Sequence, residues 1–409
     1  TVFLLYALGT KMLGQRPALI AMGLFAIAAV VVSGSRFSWN PNLAPLVSLL
    51  IIFFTHQALV KNPKYWAYAL AAFAIIMQLH YMALLSAAGM GILWLYHGHR
   101  LAIQEKNKKL FRNFLQATGI GACIVLLSLS PLVLFDFKHG FINQKGLIGI
   151  FTKESSFEGE ATSVLGRIGE LLIDTHGRSM HILFDIGIGQ RRALNTVLVL
   201  ITLGTFCAII WSGKKRKYHE GELVIFVFLL TGIVGTSAYQ HSLFDHYIAY
   251  LFPISFLSLG IIGNELIKRG ILGKIGITAF FALFIYHNAI QNQQVLKPVG
   301  WKLSDIQRTA QTISEKVSEN EKYNIVLLTG TGDIDGQNYR YFLHVSDKPP
   351  VPIEQRGEVE TLFIINEDKV LDKVTDSPIY EIVVFPNKEP AEVYEVPDGP
   401  TITVLRKNP

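Results

Sequence analysis

The sequence is poor in cysteine and in charged residues. Its 409 residues include two cysteines, Cys123 and Cys207, and charged side chains make up only 17% of the chain. Both cysteines lie inside apolar runs, so we predict neither a disulfide framework nor a cysteine-based metal site. The sequence also lacks a glycine-rich phosphate loop and any specific metal-ligand spacing. We therefore expect no metal ion and no cofactor.

Hydrophobic residues replace the missing charges. They make up 50% of the chain, and the mean hydropathy is +0.36. Several of them form runs close to the ~20 residues that a helix needs to cross a bilayer. The net charge of +6 does not indicate a nucleic-acid partner, because the basic residues concentrate in short loops, as in membrane proteins. The composition therefore predicts a polytopic protein embedded in the lipid bilayer.

The composition changes near residue 289. We predict a mainly α-helical membrane domain over residues 1–288, with about nine to ten apolar segments and a long outer loop at 136–190. Residues 289–409 have the composition of a soluble domain, with an amphipathic helix predicted over 303–320. Three apolar runs in this part predict buried strands, at 325–328, 362–365 and 382–385. The expected architecture is a helical membrane bundle followed by a small α/β domain.

The basic loops all fall on the same side of the predicted spans, which the positive-inside rule makes the cytoplasmic side. The turn between the apolar runs 17–33 and 43–60 and the turn at 78–81 are then extracytoplasmic. The C-terminal domain is predicted on that outer side as well. Residue 1 also falls outside, at the top of an inward-going helix. We therefore expect an earlier helix and an earlier outer loop before Thr1.

Polar and aromatic residues gather in these outer turns. At the membrane surface such residues suit a ligand with one apolar and one polar end. Another interpretation remains open, in which Trp39 is an interfacial belt residue and Arg36 extends to lipid headgroups. The candidate substrate-binding residues are Arg36, Trp39, Asn40, Asn42, Gln78, His80, Tyr81, Asp136, His139, His246 and Tyr247.

His80 is the most informative of these residues. It separates the apolar runs 65–79 and 82–96, each shorter than a full span, so we expect the two helices to meet below the outer surface. Ionisable groups at that depth are costly and usually face a cavity or a partner. His80 is either a hydrogen-bonded structural histidine or a donor to a lipid phosphate or sugar. In the second case, Arg36 would supply the bidentate charge that a phosphate prefers.

Several short motifs carry a family resemblance. They are the Arg36 turn between two spans, Gln78-Leu79-His80-Tyr81, the segment 135–140, and Asp245-His246-Tyr247 followed by Pro253. Together they resemble GT-C glycosyltransferases of the protein O-mannosyltransferase and aminoarabinose-transferase type, over roughly residues 1–290. The resemblance implies a polyprenyl-phosphate-linked sugar as donor. It also implies transfer on the extracytoplasmic side to a glycan, lipid or protein acceptor.

The sequence departs from the family pattern at two places. Members of the family place a catalytic aspartate in the first outer loop, which we expect upstream of residue 1, so no general base is assigned in this chain. Many members also carry an aspartate about where residues 40–42 stand and a lysine near the position of His80. We therefore expect donor contacts that differ in detail from those of the family. Such an enzyme needs cationic or hydrogen-bonding groups for the departing lipid phosphate, and Arg36 and His80 can serve it. Trp39 and Tyr81 would stack on a sugar or prenyl chain, and Asn40 and Asn42 would bind sugar hydroxyls.

Two other classes of function remain open. A transporter or flippase of lipid-linked sugars would use the same cavity without a base, but it would need polar groups through the membrane. The predicted spans contain few charged residues, which favours an enzyme open to one side. The third class is a non-catalytic membrane protein whose outer domain binds a ligand. In that domain, Asp333 and Asp335 lie in a glycine-rich stretch that indicates a turn rather than a metal-binding pair.

Overall fold

The computed structural model divides the chain into two compact units, Thr1–Lys297 and Pro298–Pro409. The residues that it describes are 1–36, 39–146, 169, 202, 204, 206, 207, 218–237, 244–292, 302–329, 333–356, 359–367, 373–397 and 399–407.

The described part of the first unit is helical. Five of its segments are long and apolar enough to cross a membrane, as in a multi-pass membrane protein: Asn40–Val60, Lys108–Lys138, His219–Thr236, Ala249–Lys268 and Ile271–Ile290. The main helices are α1 (Val2–Leu13), α2 (Gln15–Ile27), α3 (Ala29–Gly34), α4 (Ala44–Val60), α5 (Tyr65–Leu79), α6 (Ser86–His99), α7 (Lys108–Lys138), α8 (His219–Ser237), α9 (Phe252–Lys268) and α10 (Ile271–Gln291).

Helices α2, α4 and α9 pack into one buried apolar core, whereas α7 and α10 are mostly exposed. A Cβ atom at Gly260 of α9 would lie 2.2 Å from the carbonyl oxygen of Pro17, so a glycine is required where α9 meets α2. Small residues allow this close approach of helix backbones, which is common in membrane bundles. The exposed sides of α7 and α10 carry large aliphatic residues, as expected for helices that contact lipid.

The apolar run 17–33 was expected to form one span, and this expectation is wrong. Helix α2 ends at Ile27, Ala28 is extended with φ −61° and ψ 123°, and α3 begins at Ala29. The break contains neither proline nor glycine. Two side chains stabilise it, Asn288 of α10 and Asn292 just after that helix, because they satisfy two of the backbone groups that the interruption leaves without helical partners. Asn288 Oδ1 accepts from the Ala29 N–H at 2.7 Å, and Asn292 Nδ2 donates to the Ile27 carbonyl at 3.0 Å.

Other predicted spans match helices closely. The runs 43–60 and 65–79 form α4 and α5, and the run 114–135 lies within the 31-residue α7. Helix α7 continues through Asp136 to Lys138, past the predicted start of the polar loop, and residues 142–146 are again helical. Most of the predicted loop 136–190 and of the predicted span 193–211 lies outside the described residues.

The second unit contains a four-stranded mixed sheet. Its strands are β1 (Tyr323–Leu328), β2 (Thr361–Asn366), β3 (Pro390–Glu395) and β4 (Thr401–Arg406), in the order β1-β2-β4-β3. Strands β1 and β2 are parallel, while β4 is antiparallel to both β2 and β3. Helices α11 (Leu303–Lys316) and α12 (Gln337–Val345) contribute to one core cluster with the sheet. The predicted amphipathic helix and the first two predicted strands are confirmed.

The third predicted strand, at 382–385, is wrong. These residues lie in and just after a short helix, α13 (Tyr380–Val384). Ile382 and Phe385 are buried, whereas Val383 and Val384 are largely exposed. A spacing of three between buried residues fits one face of a helical turn, while a strand would alternate. The remaining strands of the sheet come from the more polar segments β3 and β4, which sequence analysis did not assign.

Candidate functional site

Three turns of the first unit bring aromatic rings together into one group, called here the aromatic cluster: Trp39, His80, Tyr81, His246 and Tyr247. The His80 ring lies 4.7 Å from that of Tyr81 and 4.9 Å from that of Tyr247, measured between ring centroids. The Trp39 and His246 rings are 4.3 Å apart, and those of His80 and His246 are 5.5 Å apart. Five of the predicted site residues therefore meet, although they come from distant parts of the sequence.

Short 3-10 turns position these rings. Trp39 precedes the turn Asn40–Leu43, and its carbonyl accepts from the Asn42 N–H at 3.1 Å. His246 and Tyr247 belong to the turn Asp245–Tyr247, which precedes α9. Each turn thus lies next to an apolar helix, and its polar groups are held at the helix end.

His80 has a capping role in its own turn. It follows α5, and its Nδ1 accepts a hydrogen bond from the Met82 N–H at 3.2 Å. Because a backbone amide donates to Nδ1, the neutral ring carries its proton on Nε2. Nε2 has no hydrogen-bond acceptor among the described residues, so its N–H is available to a ligand.

Both histidines of the cluster have perturbed acidity. Burial and, to a smaller extent, the neighbouring His246 lower the pKa of His80 from its ordinary 6.5 to about 4. Burial also lowers the pKa of His246, although the negative charge of Asp245 acts in the opposite direction. At neutral pH, His80 is therefore a neutral hydrogen-bond donor rather than a cation.

A cavity of about 530 Å³ lies beside the Trp39–His246 pair. Its apolar lining includes Phe25, Phe252 and the Val30–Val32 segment of α3. Its polar lining consists of Thr1, Ser33, Ser35, Asn42, Asp245 and His246, with the Trp39 ring beside them. The cavity therefore offers an apolar wall and a polar, aromatic rim to the same ligand.

The remaining candidate residues of the first outer turn are neighbours, in the sequence, of residues that line this cavity. Arg36 directly follows the lining residue Ser35, and its side chain is exposed. Asn40 is also exposed and begins the 3-10 turn after Trp39. That Arg36 and His80 bind one common ligand stays a prediction.

Three predicted site residues make contacts that serve the fold. Gln78 Nε2 donates to the Ser128 carbonyl at 3.1 Å, which ties α5 to α7. The Asp136 carboxylate is buried and accepts from the N–H groups of Asn143 and Gln144, each at 3.0 Å. His139 stacks on Phe135 with ring centroids 3.9 Å apart. These contacts account for all three side chains without a ligand.

Two residues near the cavity were not assigned a role from the sequence. Asp245 was noted only as part of a motif, yet it lines the cavity beside His246. Asn288 is 1% exposed and bonds across to α3, whose residues line the cavity. An asparagine inside an apolar run was the available indication, because a buried amide needs partners.

Comparisons with known proteins identify the fold. No family model and no curated protein sequence matches the chain. The structure is similar to the crystal structure of ArnT from Cupriavidus metallidurans bound to undecaprenyl phosphate, with a TM-score of 0.53 and 11% sequence identity. It is also similar to ArnT from the same organism in the apo state, with a TM-score of 0.51 and 11% identity. Each match covers 98% of this chain and 81% of the ArnT chain. The expected fold class, a GT-C-like helical bundle with a small α/β domain, is confirmed.

Proposed function

We propose that this protein is a membrane glycosyltransferase of the ArnT-like type, which takes a sugar from a polyprenyl-phosphate donor. The sugar is transferred to an acceptor on the extracytoplasmic face, the side to which the positive-inside rule assigns the site. The fold supports this proposal, as does the undecaprenyl phosphate bound to one ArnT structure of similar fold. The C-terminal α/β domain is proposed to lie on the same side.

The observation that carries the proposal is the aromatic cluster beside a cavity of mixed polarity. A polyprenyl-phosphate sugar has an apolar chain, a charged phosphate and a hydroxyl-rich ring. The valines of α3 and Phe252 suit the chain, whereas Trp39 and Tyr81 offer flat faces to the sugar. The cavity and its rim thus present a surface for each part of such a donor.

The departing phosphate defines the chemistry that the site has to support. Negative charge grows on the lipid phosphate as its bond to the anomeric carbon breaks, and donors aimed at this charge lower the barrier. Arg36 is proposed to contribute a charged pair of donors, and His80 its Nε2–H. Asn40 and Asn42 are proposed to bind sugar hydroxyls. The proposal assigns no residue of this chain as the general base.

Binding of undecaprenyl phosphate to the protein in nanodiscs tests the proposal. Undecaprenol, which lacks the phosphate, serves as the matched ligand. We expect the phosphate to be preferred, and Arg36→Ala to weaken its binding by about 10- to 100-fold, the usual loss for a charge-assisted hydrogen bond. Arg36→Lys should recover only part of the affinity, because lysine keeps the charge but not the planar fork.

Arg16→Ala provides the control variant. Arg16 is also exposed, but it lies at the start of α2, on the predicted cytoplasmic side. Its loss should leave the affinity unchanged. Equal binding of undecaprenol and undecaprenyl phosphate by the wild-type protein would contradict a phosphate site. Phosphate-dependent binding together with movement of the lipid between the two leaflets of a vesicle would instead favour the flippase alternative.

A further inference from the structure

One side of the cavity is formed by a short helix that is only partly packed against the core. Helix α3 has only six residues, and none of them is buried. Its residues 30–34, together with Ser35, nevertheless line the cavity. A helix this short is not stable by itself. Its position is therefore set by tertiary contacts: Val30 and Val31 pack partly against the core of the unit, and further contacts hold its start.

The start of α3 is held by two asparagines, Asn288 of α10 and Asn292 just after that helix. Asn288 Oδ1 accepts from the Ala29 N–H at 2.7 Å, and Asn288 Nδ2 donates to the Phe284 carbonyl of its own helix at 2.9 Å. Asn292 Nδ2 donates to the Ile27 carbonyl at 3.0 Å. The pair, called here the asparagine clamp, therefore satisfies one donor and one acceptor on opposite sides of the break.

The clamp replaces two of the hydrogen bonds that a continuous helix would make, at the Ala29 N–H and at the Ile27 carbonyl. Ala28 is 0% exposed, so water does not reach the backbone at this point. Unsatisfied backbone groups in such surroundings are costly, and broken helices in membranes occur where other groups satisfy them. Without the clamp, the Ala29 N–H and the Ile27 carbonyl would lose these partners, and restoring the helical bonds across Ala28 would supply others. Restoring them would turn α3 away from its present direction and change the cavity wall.

We propose that Asn288 and Asn292 are positioning residues, which hold α3 in the direction that shapes the cavity for its ligand. This inference rests on the proposed function only in naming the ligand, a polyprenyl phosphate. The clamp itself touches no cavity surface, since neither asparagine lines the cavity. Its effect reaches the ligand through Ala29 and the residues that follow.

The first experiment measures the position of α3 without any ligand. Cys123 and Cys207 are replaced by serine, and spin labels are attached at Ser33→Cys on α3 and Val60→Cys at the end of α4. We expect the distance distribution between the labels to shift or broaden in Asn288→Leu, which keeps the size but not the hydrogen bonds. Asn288→Asp keeps an oxygen at the accepting position and should restore the wild-type distribution.

Ser258→Ala is the matched control. Ser258 is buried like Asn288, and its hydroxyl donates to the Ile254 carbonyl within α9. This variant therefore loses a buried hydrogen bond that does not involve the break. The control separates the position of α3 from a general loss of stability. It should leave the distance distribution unchanged.

The second experiment measures binding of undecaprenyl phosphate to the same variants. We expect Asn288→Leu and Asn292→Leu to weaken binding by roughly tenfold or more, with near wild-type affinity in Asn288→Asp and Ser258→Ala. Unchanged distances or unchanged affinity in both leucine variants would overturn the positioning role. If the wild-type protein does not bind the lipid but the distances still shift in Asn288→Leu, the proposed function fails and the structural part of the clamp stands.

Discussion

His80 offers a perturbation that separates its structural and functional roles. Its two ring nitrogens have different roles, because Nδ1 caps the turn Tyr81–Leu85 and Nε2 carries the proton. Alanine would remove both at once. Asparagine and glutamine each retain one of them, since the asparagine oxygen can stand near Nδ1 and the longer glutamine amide can reach the position of Nε2.

We expect His80→Asn to fold normally but to bind poorly. Asparagine is among the best capping residues, and the extended backbone of His80, with φ −161° and ψ 130°, suits a cap. The lost Nε2–H, if it donates to a phosphate, should weaken binding of undecaprenyl phosphate by about 10- to 100-fold. Thermal unfolding should stay close to that of the wild type.

His80→Gln should show the opposite pattern. It loses the short cap, which typically contributes about 0.5–2 kcal/mol to stability, so the melting temperature should fall. It keeps an N–H donor near the Nε2 position, so the affinity should fall less than in His80→Asn. Wild-type affinity in His80→Asn, together with weak binding in His80→Gln, would refute the donor role and leave His80 as a structural histidine.

The acidity of His80 provides a second test with the same proteins. Its pKa is lowered to about 4, so the ring stays neutral as the pH changes from 5.5 to 7.5. The lipid phosphate also titrates, but it affects the affinities of the wild type and of His80→Asn equally. We therefore expect the ratio of the two affinities to be constant over that pH range. A His80 that bound as a cation would give a ratio that falls about tenfold for each pH unit above its pKa.

Because the pKa of His80 in the folded protein lies below its ordinary value, the stability that this turn contributes is present above pH 6.5 and is lost as the pH falls towards 4.

Two further predictions concern topology and the predicted site at Asp136. A cysteine at Pro350 should be labelled by an impermeant reagent on intact cells and one at Lys108 should not; labelling of the Lys108→Cys protein alone would reverse the orientation. Asp136→Ala should lower stability by ~1 kcal/mol, because it removes acceptors from two backbone amides, and should leave the affinity for undecaprenyl phosphate unchanged. If Asp136→Ala instead lowered the affinity for undecaprenyl phosphate and left the free energy of unfolding unchanged, Asp136 would be a binding residue.

The spans that the sequence predicts well are those whose boundaries are local. Asn62, Pro63 and Lys64 separate two apolar runs, and the structure places α4 and α5 on either side of them. The break at Ala28 has no such local cause. Nothing among the neighbouring alanines interrupts a helix, and the groups that stabilise the break come from residues 288 and 292. An interruption whose partners lie more than 250 positions away in the sequence is not predictable from a single sequence.

In the second unit too, the sequence predicted only the elements that have a clear local pattern. The runs that became β1 and β2 are buried on both sides, which a continuous apolar pattern indicates correctly. Strand β3 is mostly exposed. Strand β4 is buried at its four central residues, but Thr401 and Thr403 interrupt its apolar residues, so neither strand has a continuous apolar pattern. They complete the sheet because β2 offers an edge to β4, which in turn pairs with β3. The run 382–385 is apolar enough for a strand, but its burial period is helical.

The sequence predicted which kinds of residue form the candidate site, but not how they are arranged. The sequence indicated that polar and aromatic residues share one face of the membrane, and five of them form the aromatic cluster. For His80 it left two interpretations, a structural histidine or a ligand donor. The structure makes them compatible, because the amide that occupies Nδ1 also fixes the tautomer and directs the proton to Nε2. The capping bond is then a precondition of the donor role: a ring whose tautomer is already set loses less freedom when a phosphate binds.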